Sequence, residues 1–510
     1  MSNALFVGLD VGTSGSRAVL YDTSGQEVAT TNYGYPLETP RPGWAEQNPD
    51  LIWERIVQTL ADLSKLVPAG ARIEGLGLSS ICHSLLGVDR DNRPVTPSII
   101  WADLRAHRQV DELRARLDAR AIYESTGCPM HPMYLPGKIL WLKDEQPDRF
   151  AKVATFGSIK DEVIYRLTGN RVVDKGIATA SGLYDLNRGA WSDTWLRALE
   201  IHGEQLPAVI ESTASAGGLL PAVATATGLA PGLPIIAGSG DGPLSSFGAG
   251  AVAPGQMAVM IGTSGAARLA TNQPVFDKAG RTWCYYLAEG RWIAGAAINN
   301  GGLALQWVRE NLLPGPQTTG EEFDFDTLAR DAERSVPGSR GLLFLPFLAG
   351  ERSPYWNANA RGVVFGLANH MGPPEVARSV FEGVCFRMRS IVDALDEAAG
   401  PTTEVRATGG FVRSEFWRQM LSDVLGRPMT IPQASQASAF GAAGLAMIGS
   451  GALASLEDVA HLIAVESGPT PSAERGALYD RLYRLYMEIY WANQDAFKQI
   501  AALQEEFGEV

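Results

Sequence analysis

The chain has 510 residues, 45% of them hydrophobic and 19% charged, too many for one hydrophobic core and enough for two domains of about 250 residues each. Its 56 acidic and 43 basic side chains leave a formal charge of −13, which repels nucleic acid and anionic membranes but does not exclude a small anion in a locally basic pocket. The four cysteines, Cys82, Cys128, Cys284 and Cys385, lie far apart with no CxxC pair, which argues against a zinc or disulfide framework and fits a reducing compartment.

The N-terminal "MSNALFVGLD" carries no basic region and enters an apolar strand at once, so it does not read as a signal peptide. No apolar run approaches the ~18 residues that span a bilayer, and the expected location is the cytoplasm. After Asp10 the chain continues as a hairpin around Asp22-Thr23-Ser24-Gly25. Residues 50–67 repeat apolar positions at helical spacing, with Asp50 the expected N-cap. "IEGLGLSSI" predicts a second buried strand that runs into Cys82 and His83, and residues 102–170 are richer in helical patterns. "PIIAGSGDGPLSSFGAG" returns to the opening logic: an apolar strand, an acidic residue (Asp241) in a glycine turn, then a helix. "QMAVMIGTSGAARLA" predicts strand, turn and strand, and "VRATGGFVRSEFWRQMLSDVLGRPMTI" a strand, a Gly-Gly turn and an amphipathic helix. "SAFGAAGLAMIGSG" offers small residues suited to close helix packing. A break near 245–256 divides the chain into domains 1–247 and 248–510.

One turn occurs twice, in "DVGTSGSRAVL" (10–20) and "MIGTSGAARLA" (260–270). Gly-Thr-Ser-Gly presents successive backbone N–H groups with little side-chain obstruction, a concavity that binds anions, and the hydroxyls of Thr13 and Thr263 add donors. A single copy is an ordinary hairpin turn. Two copies, each after an apolar strand and each followed by a similarly placed arginine (Arg17, Arg268), read as the halves of a polyphosphate clamp. The P-loop pattern is absent and GxGxxG is broken at Pro243, so neither of those nucleotide designs applies. Asp10 and Asp241 each lie where an apolar strand meets a glycine turn, and either alone reads as turn chemistry. Beside two phosphate loops they read as a phosphoryl-transfer pair, with Asp241 accepting a hydroxyl proton and Asp10 and Asp241 the candidate Mg²⁺ carboxylates.

With these motifs in this order, the chain resembles the FGGY family of carbohydrate kinases, which contains glycerol, xylulose and gluconate kinases, from Gly8 to about Gly449. The likeness is carried by "DVGTSGSR", "GSGDGPLSSFGAG", "IGTSGAAR", "INNGGLALQWVRE" and "TGGFVRSEFWRQMLSDVLGRPM". It implies an α/β fold of two actin-like (ribonuclease H-like) ATPase domains with ATP and Mg²⁺ in a central cleft, and Asp241 as the catalytic residue. The implied nucleotide contacts are Gly12, Thr13, Ser14 and Arg17 in the first half. In the second half they are Gly262, Thr263, Ser264, Gly301, Gly302, Gln306, Gly409, Gly410 and Ser414. The implied acceptor contacts are His83, Trp101, Asp103 and His131, together with Asp241. "TGCPMHPMYLPGKILWL" and "SPYWNANARGVVFGL" look most like gluconate kinases, and the Met-His pair of xylulose kinases is replaced by Cys82-His83. A sugar acid brings a carboxylate, for which His83, Arg105, His131, Lys138 and Lys160 are the candidate partners. The alternatives are a kinase for another sugar or polyol such as xylulose, or an actin-fold ATPase without a sugar site. The expected partner is a small sugar or sugar acid, with no nucleic acid and no membrane; a homodimer rests on analogy with the family alone.

Overall fold

The computed structural model describes residues 4–313, 325–434 and 436–508. The first half builds a sheet from β1 (Ala4–Val11), β2 (Gly15–Asp22), β3 (Glu27–Gly34), β4 (Arg72–Ser80) and β5 (Pro234–Gly240), in the order β3-β2-β1-β4-β5 with Ser215–Gly218 at the edge. β1, β2 and β3 are antiparallel neighbours, while β4 runs parallel to β1 and β5 parallel to β4. The second half repeats this plan with β6 (Gln256–Ile261), β7 (Gly265–Thr271), β8 (Arg291–Ile298), β9 (Glu404–Thr408) and β10 (Met429–Pro432), ordered β8-β7-β6-β9-β10 with the same directions. Strands Trp283–Ala288 and Val465–Ser467 extend its two edges. The two GTSG turns join β1 to β2 and β6 to β7, so the sequence echo marks a repeated sheet. This is the topology that the resemblance implies.

Helix α1 (Pro49–Ser64) packs on β2 and β3. Its cap is Asn48, not the expected Asp50: the Asn48 side chain accepts from Asp50 N at 2.9 Å and Leu51 N at 3.2 Å. Pro49 occupies the first helical position, where its fixed φ suits the helix and no N–H is lost, and this moves the start two residues upstream. Helix α2 (Asp241–Gly248) follows β5 directly. α3 (Gly302–Asn311), α4 (Pro373–Ala399) and α5 (Glu415–Leu425) belong to the second half, where the 27-residue α4 carries much of the core through Val380, Phe381, Val384 and Phe386.

The small-residue helix α6 (Ala437–Gly449) crosses back and covers β1 and β4 of the first sheet. Its backbone comes so close that a Cβ on Gly8 would collide with the Ala439 carbonyl oxygen, and one on Gly77 with the Ala442 carbonyl oxygen. The halves are tied again where strand Trp283–Ala288 docks on the first: Cys284 N donates to Gly127 O at 3.0 Å, Tyr286 N to Thr179 Oγ1 at 3.0 Å, and the Tyr134 and Tyr285 hydroxyls meet at 2.8 Å. Among the described residues no helix is long and apolar enough to cross a membrane.

Candidate active site

In both GTSG turns the carbonyls are held by protein donors. Tyr35 OH reaches Gly12 O at 2.7 Å, Gln47 Nε2 reaches Thr13 O at 2.6 Å, and Tyr35 N reaches Ser14 O at 3.1 Å. In the second turn Gly302 N donates to Gly262 O at 2.7 Å and Gly301 N to Thr263 O at 3.1 Å. The N–H groups of Thr13, Ser14, Thr263 and Ser264 have no carbonyl partner among the described residues, which leaves them for an anion.

The arginines after the two turns are not equivalent, contrary to the sequence expectation. Arg17 lies five positions after Gly12, and Arg268 six after Gly262. Side chains alternate faces along a strand, so one residue of offset sends the two arginines to opposite faces. Arg17 Nη1 donates to Gln436 Oε1 at 2.5 Å. Arg268 instead sits against Gly242 and beside Asp241, and its Nε has no hydrogen-bond partner among the described residues.

Asp241 opens α2 at the end of β5 and accepts Gly242 N at 2.8 Å. Cys82, just past the end of β4, adds its backbone N–H and its thiol. Burial raises the Asp241 pKa, opposed by the Arg268 charge and by these donors. Asp10 is fixed by Ser79 Oγ at 2.7 Å. Burial pushes its pKa up to about 6, with Ser79 and Arg17 pulling down and Asp241 pushing up. One strand, β4, lies between β1 and β5, so the two backbones are separated by two strand spacings, ~10 Å. Among the described residues no cluster of three His, Cys, Asp or Glu side chains offers a metal site. The pair therefore does not chelate an ion unaided; it fits Mg²⁺ that arrives with phosphate oxygens and keeps most of its water.

On the acceptor side, His83 Nδ1 donates to Ala180 O at 2.7 Å, which leaves Nε2 as an acceptor. Its ring packs edge-on against Tyr134 at 4.9 Å and Tyr285 at 5.5 Å, and burial holds its pKa down at about 3. His131 Nδ1 accepts Met133 N at 3.2 Å, so its Nε2 carries the proton, and its ring leans on Trp356 at 5.2 Å. Its pKa also falls to about 3, first through burial and then through the Arg352 charge. Trp101 Nε1 donates to Thr13 Oγ1 at 3.1 Å, joining the acceptor side to the first phosphate loop.

Four sequence candidates turn inward. Asp103 is completely buried, holding Arg105 with both oxygens and accepting Ala45 N at 2.6 Å, so it supports the site from behind and is not exposed to an acceptor. Arg105 also pairs with Glu46 at 2.6 Å and stacks on Trp44. Lys138 gives its protons to His83 O, Ile99 O and Ile100 O at 2.7, 3.3 and 2.8 Å, and burial lowers its pKa to about 7. Lys160 is taken by Ser239 O at 2.8 Å and Asp174 at 2.7 Å. None of these three cations is left for a ligand. The sequence reading missed Arg352, whose guanidinium lies over the Trp101 ring at 5.5 Å. Nothing local announces it, because only the fold brings positions 101 and 352 together.

The remaining glycines converge on the ends of β6 and β9. Gly301 and Gly302 are bonded to the second loop, as above. Gly409 has φ 90° and a Cβ there would stand 2.6 Å from Ile261 O, whereas a Cβ on Gly410 meets nothing within 4 Å. This open shelf fits a nucleotide. Gln306 lies on the exposed side of α3, bonded to Glu310 at 2.8 Å, and Ser414 caps α5 by accepting Trp417 N at 3.3 Å. The expected result for Gly410→Val is an unchanged Tm with ATP affinity weakened about tenfold, ~1.4 kcal/mol, measured by nucleotide titration.

Residues 5–248 match the N-terminal domain, and residues 257–450 the C-terminal domain, of the FGGY family of carbohydrate kinases. The chain belongs to this family. As an FGGY kinase it is a phosphotransferase with an alcohol acceptor. It is 34% identical to the gluconokinase of Bacillus subtilis (strain 168) over 502 residues, 98% of each chain. To the xylulose kinase of Escherichia coli (strain K12) it is 30% identical over 493 residues, 95% of this chain and 98% of the other. The crystal structure of gluconate kinase from Lactobacillus acidophilus superposes with a TM-score of 0.93 at 33% identity, covering 98% of this FGGY kinase and 99% of that chain. The ligand-bound xylulose kinase from Lactobacillus acidophilus gives 0.92 at 33%, covering 98% and 100%. Backbone likeness therefore leaves the acceptor to the pocket's own side chains.

Proposed function

We propose that this FGGY kinase transfers the γ-phosphoryl group of ATP to the 6-hydroxyl of D-gluconate, giving 6-phosphogluconate and ADP. The observation that carries the reading is that Asp241 stands beside Arg268, and that Arg268 and Arg352 each keep a buried Nε without a hydrogen-bond partner among the described residues. A buried guanidinium with an unmet N–H favours a carboxylate, whose charge-assisted hydrogen bond is stronger than one to a hydroxyl of a neutral ketose. The greater sequence identity to gluconokinase than to xylulose kinase points the same way.

In this reading Asp241 receives the proton of the attacking hydroxyl, and its raised pKa brings it nearer the operating pH as a base. Thr13, Ser14, Thr263 and Ser264 turn their N–H groups to the phosphoryl oxygens, fixed in advance by the held carbonyls. His83 Nε2 accepts from an acceptor hydroxyl, His131 Nε2 donates, and Trp101 supplies an apolar face. Asp10 and Asp241 are the residues that would hold Mg²⁺, and the ion would supply charge neutralisation for the phosphates. Arg268 lowers the Asp241 pKa, so Arg268→Gln moves the acid limb of kcat/KM to higher pH, read from a pH–rate profile; an unmoved limb contradicts this pairing. The acceptor is tested by ADP release across gluconate, xylulose, ribulose, glycerol and erythritol. Gluconate is expected to lead, and turnover of a neutral acceptor with gluconate silent overturns the reading.

A further inference from the structure

We infer that Arg352 is the residue that selects a carboxylate-bearing acceptor, by pairing with the acid group at the end of the substrate far from Asp241. This rests on the gluconate reading above and names the side chain that enforces it.

The loop carrying Arg352 is built to hold one position. Glu351 is fully buried at the side chain, accepting Asn299 N at 2.8 Å and Arg352 N at 2.9 Å through one oxygen, and facing Arg387 Nε at 3.2 Å through the other. Arg387 also donates to Ser353 O at 2.9 Å, and Asn300 clasps the loop by giving to Gly350 O and accepting from Ala349 N at 2.9 and 3.0 Å. The Glu351 carboxylate is thus committed to Arg387 and to backbone N–H groups. The Arg352 guanidinium is left with a 3.4 Å bond to Ile298 O, the Trp101 face and an orphaned Nε. A preset guanidinium whose adjacent carboxylate spends its hydrogen bonds on another arginine and on backbone N–H groups is a recognition element for an anion.

Its surroundings tell which anion. The charged groups that act on Arg352 are Glu351 and Arg268, and Arg352 in turn acts on His83 and His131. Trp356 donates its backbone N–H to Arg352 O and packs on the His131 ring at 5.2 Å, and the Arg352 guanidinium covers the Trp101 face, which groups this arginine with the acceptor-side residues. In the inferred pose a linear sugar acid brings its terminal hydroxyl to Asp241 and its carboxylate to Arg352, where the proton on His131 Nε2 gives a second donor.

The test compares wild type, Arg352→Gln and Arg352→Lys on gluconate and on D-glucitol, which has an alcohol in place of the carboxylate. The expected result is that Arg352→Gln raises KM for gluconate on the order of 10²-fold and cuts the gluconate-to-glucitol selectivity alike. KM for ATP stays put, and Arg352→Lys recovers part of the loss. Unchanged selectivity in Arg352→Gln overturns the inference, as does a rise confined to KM for ATP, which assigns the arginine to phosphate. A wild-type enzyme silent on gluconate overturns the acceptor reading itself, a result separable from both. If Arg352→Gln does not fold, Arg352→Lys decides: a wild-type Tm with unchanged gluconate-to-glucitol selectivity and unchanged KM for gluconate overturns the inference, because the ammonium lacks the planar guanidinium fork.

Discussion

Asp241→Asn is expected to lower kcat by ~10²–10⁴-fold while ATP affinity stays within about twofold. The amide keeps the size of the carboxylate and the place at the start of α2, so the phosphate loops and the β9 shelf are undisturbed. What it loses is the ability to take the hydroxyl proton. The neighbours of Asp241, namely Arg268, Gly242 N–H and Cys82, all favour the anion and offset part of the burial that raises its pKa. The same donors have no anion to hold in the variant, so a residual rate from positioning alone is the expected remainder. Rate and nucleotide titration on one preparation separate the two quantities. Near-normal turnover removes Asp241 from the role of base.

Gly8→Ala and Gly77→Ala are expected to be the most damaging single changes to the fold, each costing about 3 kcal/mol or more and lowering Tm by about 10 °C. In both the added methyl collides with a backbone carbonyl of α6, which cannot rotate aside as a side chain would. The helix must lift off β1 and β4, and with it the buried Ala439, Ala442, Ala443 and Ala446. The damage reaches the site, because Gln436, which holds Arg17, immediately precedes α6. Gly410→Ala is the control, since a methyl there meets open space. Melting curves of the three variants decide it, and equal Tm values contradict the close packing of α6.

Local features were the most legible in the sequence. The duplicated turn, Asp10 and Asp241 were readable because a hairpin and a strand-to-helix junction are short-range structures with their own residue preferences. The glycines at 301, 302, 409 and 410 were readable through their motifs. Charge alone misled: Asp103, Arg105, Lys138 and Lys160 are the right residue types for a ligand, yet each is consumed by internal partners that only the fold supplies. The unlike fates of Arg17 and Arg268 were present in the sequence as an offset of one residue, and the period of a strand converts that offset into opposite faces. Arg352 was not legible, because its partners Trp101, His83 and His131 come from the other half of the chain. The α1 cap shows the same limit on a smaller scale, since Asp50 and Asn48 are both good caps and Pro49 decides between them.

The central claim is phosphoryl transfer to a sugar-acid hydroxyl in the cleft between two phosphate loops. ³¹P NMR of the enzyme with ATP, Mg²⁺ and gluconate tests it most directly. The expected result is a phosphomonoester resonance coupled to the C6 methylene protons, growing in step with ADP. Release of inorganic phosphate without that ester, or ATP left intact, contradicts it.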